Sequence, residues 1–257
     1  LHDELDSKLR TNQSQPWRHA ELQQMEAGGM TGLAKKRLTA LATVLLAGCA
    51  SGVLGLGGSS WKEEVLLEDG RTLIAERKQT YGGKPTLDSR ERAVLDEEWT
   101  FPAPDGEGKV VWHNNFRRPP EGDGLMLLLI GFVESVPYLA TTPAGCIAYN
   151  NWKRPNPPYV FFRYDGMQWQ QIPSTEFPAQ LKYANVIVGR PDPKNRSGTI
   201  TVAAIKKDNK GLDSHYRSII REPMSPEEIG CREMIYYKGG WVEPGEFGRH
   251  FMDTISK

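Results

Sequence analysis

The chain has 257 residues with 32 basic and 32 acidic side chains, so it has no formal net charge and lacks the basic excess that draws a protein to nucleic acid. Residues 1–48 hold six basic and five acidic groups, leaving 26 against 27 from Cys49 onward, with no long block of one sign that would make a polyionic tail. The 209 residues from Cys49 suit one all-β domain and can bury a sizeable core.

Residues 1–29 are polar and show no regular apolar period. The first apolar run, residues 38–47, has ten residues and is too short for a spanning helix, which needs about 20. Lys35, Lys36 and Arg37 precede it, and Ala47, Gly48 and Cys49 follow. A basic head, a short apolar middle and small residues at the cut make up the layout of a secretory signal peptide. Leu46-Ala47-Gly48-Cys49 resembles the lipobox of bacterial lipoproteins. That resemblance implies a lipidated Cys49, a signal peptide over residues 30–48 that is removed, and membrane lipid as a partner through the acylated cysteine. A second acyl signal makes such an anchor stable where one chain is marginal. Ala50 in place of aspartate implies, by the same resemblance, sorting to the outer membrane, at its periplasmic face. The competing reading of the run is a core helix that contains a cysteine.

On this reading residues 1–29 are expected to be a mis-assigned upstream extension, with Met30 as the start, or else a disordered leader. After Cys49, residues 51–60, SGVLGLGGSS, read as a flexible tether, giving a 49–60 segment ahead of a single domain over 61–257. The glycines there do not make a dinucleotide loop, since no strand precedes them and no helix start follows.

From Trp61 the pattern is mainly extended. Residues 61–81 place two strand-like runs around Glu68-Asp69-Gly70, and Asp-Gly between such runs is a strong hairpin signal. Strand candidates follow at 93–101, 109–114, 125–132 and 137–141. The 125–132 run, LMLLLIGF, is apolar on both faces and predicts a central strand covered on two sides, or a short buried helix. Further hairpins are expected at residues 159–173, turning at Asp165-Gly166, and at 234–242, turning at Lys238-Gly239-Gly240. Helical spacing of Val202, Ile205, Leu212, Tyr216, Ile219 and Ile220 predicts a helix stopping near Gly211 and a second one capped by Asp213 and ended by Pro223. Another turn is expected from Ser225, with Pro226 at its first position. The fold class is therefore mainly β, an antiparallel sheet assembly of sandwich, barrel or propeller-like form, with one or two short helices in the C-terminal half.

Residues 61–79, 141–169 and 232–245 together resemble a family of uncharacterised bacterial lipoproteins and secreted proteins, a resemblance that implies a compartment and no activity.

With Cys49 committed to lipid, Cys146 and Cys231 remain, and in an oxidising compartment they are expected to form a disulfide. The alternative is a catalytic thiol at Cys146 working with His113, His215 or His250, for which no local nucleophile signature exists. The densest cluster of binding-type residues is at 146–162, where Tyr149, Trp152 and Arg154 are the candidate ligand contacts. Aromatic and arginine side chains dominate binding hot spots, and an aromatic platform beside amides suits a sugar ring. The competing reading has Trp152, Tyr159 and Trp169 filling the core.

No catalytic or metal-ligating residue is assigned and no cofactor is expected. The histidines lack zinc-binding spacing, GxSxG and phosphate loops are absent, and Glu97, Glu98, Asp105, Glu107 and Asp123 read as solvated surface rather than a general acid and base. The sequence thus supports a lipid-anchored cell-envelope protein, a non-catalytic binding or structural module whose partner is an envelope protein or cell-wall glycan. The alternative is a cell-wall glycan-directed hydrolase.

Overall fold

The computed structural model describes residues 57–82, 92–116, 122–192 and 198–255. The expectations for residues 1–48, Cys49 and the first part of the tether lie outside the described residues. Residues 57–60, expected to be part of the tether, instead open β1 (Gly57–Leu66). Ser59 faces Gln79 in the ladder, and its hydroxyl lies 2.5 Å from that of Tyr81.

β1 runs antiparallel to β2 (Thr72–Gly82), which pairs with β3 (Ala93–Pro102) and through it with β4 (Lys109–Asn115). The short β9 (Thr199–Ile200) adds in parallel on the other side of β1, making five strands in the order β4-β3-β2-β1-β9. A second sheet is an antiparallel meander of β5 (Leu125–Val133), β6 (Val136–Pro143), β7 (Val160–Tyr164) and β8 (Trp169–Ile172). β10 (Ile235–Tyr237) and β11 (Gly240–Val242) form a small third sheet.

The three hairpins turn where local chemistry dictates. Gly70 and Gly166 take positive φ, and Asp165 accepts the backbone N–H groups of Met167 and Gln168 at 2.9 and 2.8 Å. Lys238 and Gly239 have φ of 44° and 89°, the pair of left-handed residues that a two-residue hairpin requires.

Alternation on the strands decides the packing. Val65, Ala75, Trp99, Phe101 and Trp112 of the first sheet meet Leu125, Leu127, Ile130, Leu139 and Val160 of the second in one apolar cluster. The two sheets therefore pack face to face as a sandwich. The far face of the second sheet, with Leu129, Ala140 and Phe161, is covered by Phe177, Leu181, Tyr216 and Ile219 from the C-terminal half. That makes the second sheet a middle layer and explains why β5 is apolar on both faces. Each fully buried leucine or isoleucine there contributes roughly 1.5–3 kcal/mol.

β5 is nonetheless terminal in hydrogen-bonding order, not central. Its open edge is satisfied by side-chain amides. Asn114 both donates to the Leu125 carbonyl and accepts the Leu125 N–H, and Asn185 does the same at Ile130, with distances of 2.8 and 3.0 Å for the latter.

Five short helices occur among the described residues, more than the sequence suggests: α1 (Cys146–Asn151), α2 (Val202–Asn209), α3 (Ser214–Arg217), α4 (Pro226–Ile229) and α5 (Glu246–Ile255). Thr201 caps α2 by accepting the Ala204 N–H, and Ser225 with Glu228 completes a capping box at α4. α3 stops at Arg217 rather than running to Pro223. Ser218 turns extended because Ile219 N–H bonds to the Lys182 carbonyl at 2.7 Å, a tertiary pairing that outweighs helical spacing.

Candidate functional site

Cys146 and Cys231 form a disulfide with Cα atoms 5.2 Å apart across 85 residues of chain. Cys146 is thus no free nucleophile. In the chain-entropy view a loop of this length is worth about 4–5 kcal/mol.

The candidate contacts around it are turned toward the protein. Tyr149 lies buried on α1, where burial pushes its phenol above the ordinary range. The half-buried Trp152 donates its indole N–H to the Asp123 carbonyl at 2.8 Å and meets Phe162 edge-on. Arg154 donates to the Cys231 carbonyl at 3.1 Å and to the Asn150 side chain at 3.2 Å, and its guanidinium lies 5.0 Å from the Tyr149 ring. Tyr159 is buried as well, its hydroxyl donating to His215 and Ser218 carbonyls, and burial drives its pKa up to about 12.

The inner face of the first sheet holds a polar cluster, one member of which, Glu97, the sequence reading places in solvent. Glu97 is fully buried, which corrects its assignment to the surface, and Glu63, Arg77 and Gln79 are buried with it. Arg77 faces Trp61 on β1 and Trp99 on β3 in the ladder, its guanidinium 5.2 and 4.7 Å from their ring centroids. It pairs with Glu97 at 2.7 Å. Glu97 also accepts from Gln79 and from the Trp99 indole. Burial pushes the Glu63 carboxyl up, while the Arg77 charge and hydrogen bonds from Ile187 and Trp61 pull it back. Strand parity carried this signal: Glu97 shares a face with Trp99 and Phe101, and Glu63 with Trp61 and Val65.

This cluster holds an otherwise unpaired segment. Glu63 accepts the Ile187 N–H at 2.8 Å and Arg77 donates to the Ile187 carbonyl at 3.0 Å. Asn209 on α2 takes the flanking groups, the Val186 carbonyl at 2.8 Å and the Val188 N–H at 3.1 Å. Asn185 ties the same segment to Leu66 and to β5. The backbone of residues 186–188 is thus held by side chains, while the Asn185 N–H bonds to the Leu128 carbonyl of β5.

That fixed segment leads into the wall of a groove of about 640 Å³, within the range of ligand sites. Its other sides are the β1–β2 turn from Leu66 to Gly70, the α2 face and Arg217. Leu67 and Ile205, both buried, supply apolar lining. Tyr183 stands at the wall with 64% of its surface exposed, held beside Ser218 by a β-bridge, while Ala184 N–H bonds to the Arg217 carbonyl at 3.0 Å. Lys206 and Lys210, one helical turn apart, and Arg217 are exposed on its rim, and Glu68 is the one carboxylate lining it. Neither lysine nor Arg217 forms an ion pair among the described residues.

The remaining candidates are scattered. His113 is exposed on β4 at 3.6 Å from Glu98, His250 is exposed on α5, and His215 is buried against Tyr216. Asp105 and Glu107 are exposed in the β3–β4 turn. No group of three or more potential metal-ligating side chains occurs among the described residues. No helix among them is long and apolar enough to cross a membrane. Comparison with protein-family models, curated proteins and solved structures finds no match to this chain.

Proposed function

We propose that the protein is a lipid-anchored cell-envelope protein, held through Cys49, whose folded body binds an envelope component without performing chemistry on it. The observation that carries the reading is the Cys146–Cys231 disulfide, a bond that persists in oxidising compartments outside the cytosol. The basic, apolar and small-residue sequence of residues 35–49 supports the same compartment and supplies the lipid acceptor.

A binding role is supported by what the reactive side chains are doing. Cys146 is oxidised, His215 is packed against Tyr216, and Glu63 and Glu97 hold backbone and indole groups inside the sandwich. The groove, by contrast, presents Lys206, Lys210 and Arg217, none of which forms an ion pair among the described residues.

Feeding cells an alkyne-bearing palmitate, then separating membrane from soluble fractions, tests the anchor. Label on the wild-type chain in the membrane fraction, lost with release of the chain in Cys49→Ser, is the expected result. An unlabelled wild-type chain overturns it, and turnover of purified cell-wall glycan by the full chain overturns the non-catalytic reading.

A further inference from the structure

We infer that the groove beside α2 binds an anionic amphiphile, an acyl chain bearing a carboxylate or phosphate head. The inference rests on reading the body as a binding module and names the chemistry of what it binds.

Two properties of the groove select this class. Its lining includes Leu66, Leu67, Val202 and Ile205, so an apolar body gains by leaving water there. Its rim carries Lys206, Lys210 and Arg217 against Glu68 alone, an excess of positive charge that an anionic head neutralises. Lys206 and Lys210, the latter the C-cap of α2, are like charges four residues apart and repel each other. An anion between them and Arg217 removes that repulsion.

The groove's hydrogen bonding argues against the other envelope ligands. An extended peptide is held chiefly by main-chain bonds to a free edge. Here the wall's backbone N–H groups are occupied, Ala184 N–H by the Arg217 carbonyl and Asn185 N–H by the Leu128 carbonyl. A sugar needs amide or carboxylate partners around its hydroxyls. Both amides lining the groove are taken, Asn185 by Leu66 and Ile130, and Asn209 by Val186 and Val188. What remains available is apolar surface, the Tyr183 ring, the cationic heads and a single carboxylate, Glu68, which already accepts the Lys182 N–H.

The full chain is titrated calorimetrically, below micelle-forming concentrations, with dodecanoate, dodecyl phosphate, dodecanol and inorganic phosphate. Saturable one-to-one binding of the two anionic amphiphiles is expected, with dodecanol at least about tenfold weaker, the worth of one charge-assisted contact. Lys206→Glu with Lys210→Glu reduces the anionic affinity by a similar factor at unchanged thermal midpoint, and Tyr183→Ala weakens all chain-bearing probes alike. Absence of saturable binding by a folded chain overturns the inference, as does equal affinity for dodecanol and dodecanoate that ignores the lysine changes. Binding of inorganic phosphate as tight as dodecyl phosphate overturns the apolar part. None of these results depends on Cys49 labelling, so the anchor and the ligand class fail separately.

Discussion

Arg154, in the loop beside the disulfide, and Arg217, at the groove, show how two regions of similar chemistry come to differ. The Arg154 guanidinium lies 5.0 Å from the Tyr149 ring, and Arg217 lines the same groove as Tyr183. Arg154 donates across the disulfide to the Cys231 carbonyl and, within its own segment, to the Asn150 side-chain oxygen. Arg217 holds Ala184 through its backbone carbonyl, and its guanidinium, at the groove, forms no ion pair among the described residues. Composition names residues able to bind; whether they do is decided by which of them the fold has already employed.

The contrast can be broken most forcefully at the disulfide. Cys146→Ala with Cys231→Ala should cost about 4–5 kcal/mol in urea unfolding, and loss of much less would show that the loop is held by its other contacts. Next in size is Arg77→Met, which leaves Glu97 and Glu63 buried without their cation and should cost about 3–5 kcal/mol. Because Arg77 also holds the Ile187 carbonyl, the same variant should raise amide exchange through residues 185–188 beside the groove.

A matched pair of arginine substitutions sharpens the comparison at smaller scale. Arg154→Ala should destabilise by about 1.5–3 kcal/mol, the range for hydrogen bonds to a charged group. Arg217→Ala should stay within about 0.5 kcal/mol, as surface changes do. Equal costs for the two in parallel unfolding curves would remove the distinction between an employed and an available arginine.

The mildest effect is on pH dependence. Burial lowers the His215 pKa below 6.5, opposed by the charges of Asp213 and Glu228. As pH falls through 6.5 the unfolded chain takes up the proton first, so stability declines toward acid. His215→Gln should flatten that slope below pH 6.5 and leave it unchanged above, as measured by thermal midpoints across the range.

The parts of the fold legible in the sequence are those decided locally. Asp69-Gly70, Asp165-Gly166 and Lys238-Gly239 announce their turns because only certain residues take those backbone angles. The cysteine pairing followed from counting. Glu97 was missed although its alternation with Trp99 and Phe101 put it on the core face, since the charge itself argued for solvent. α5 is absent from the sequence reading although Phe247, Phe251, Met252 and Ile255 recur at helical spacing; in the structure Met252 is buried while Phe247 and Phe251 are exposed. The groove was invisible for a different reason. Its sides come from residues 66–70, 183–185, 202–210 and 217, and nothing within any one segment signals the others. The side-chain clamps on residues 186–188 and the backbone bonds between residues 182–184 and 217–219 bring them together, and such contacts are long-range by nature.

The amides of Asn114 and Asn185 on the open edge of β5 have a consequence for association. A strand edge with free N–H and carbonyl groups is a template on which another chain can extend the sheet, toward dimers or fibrils. Here the Leu125 and Ile130 groups, with the Leu128 carbonyl, are already taken, so the most apolar strand in the protein offers no such template at those positions. Asn114→Leu or Asn185→Leu would uncover it, and the price of that exchange would be solubility.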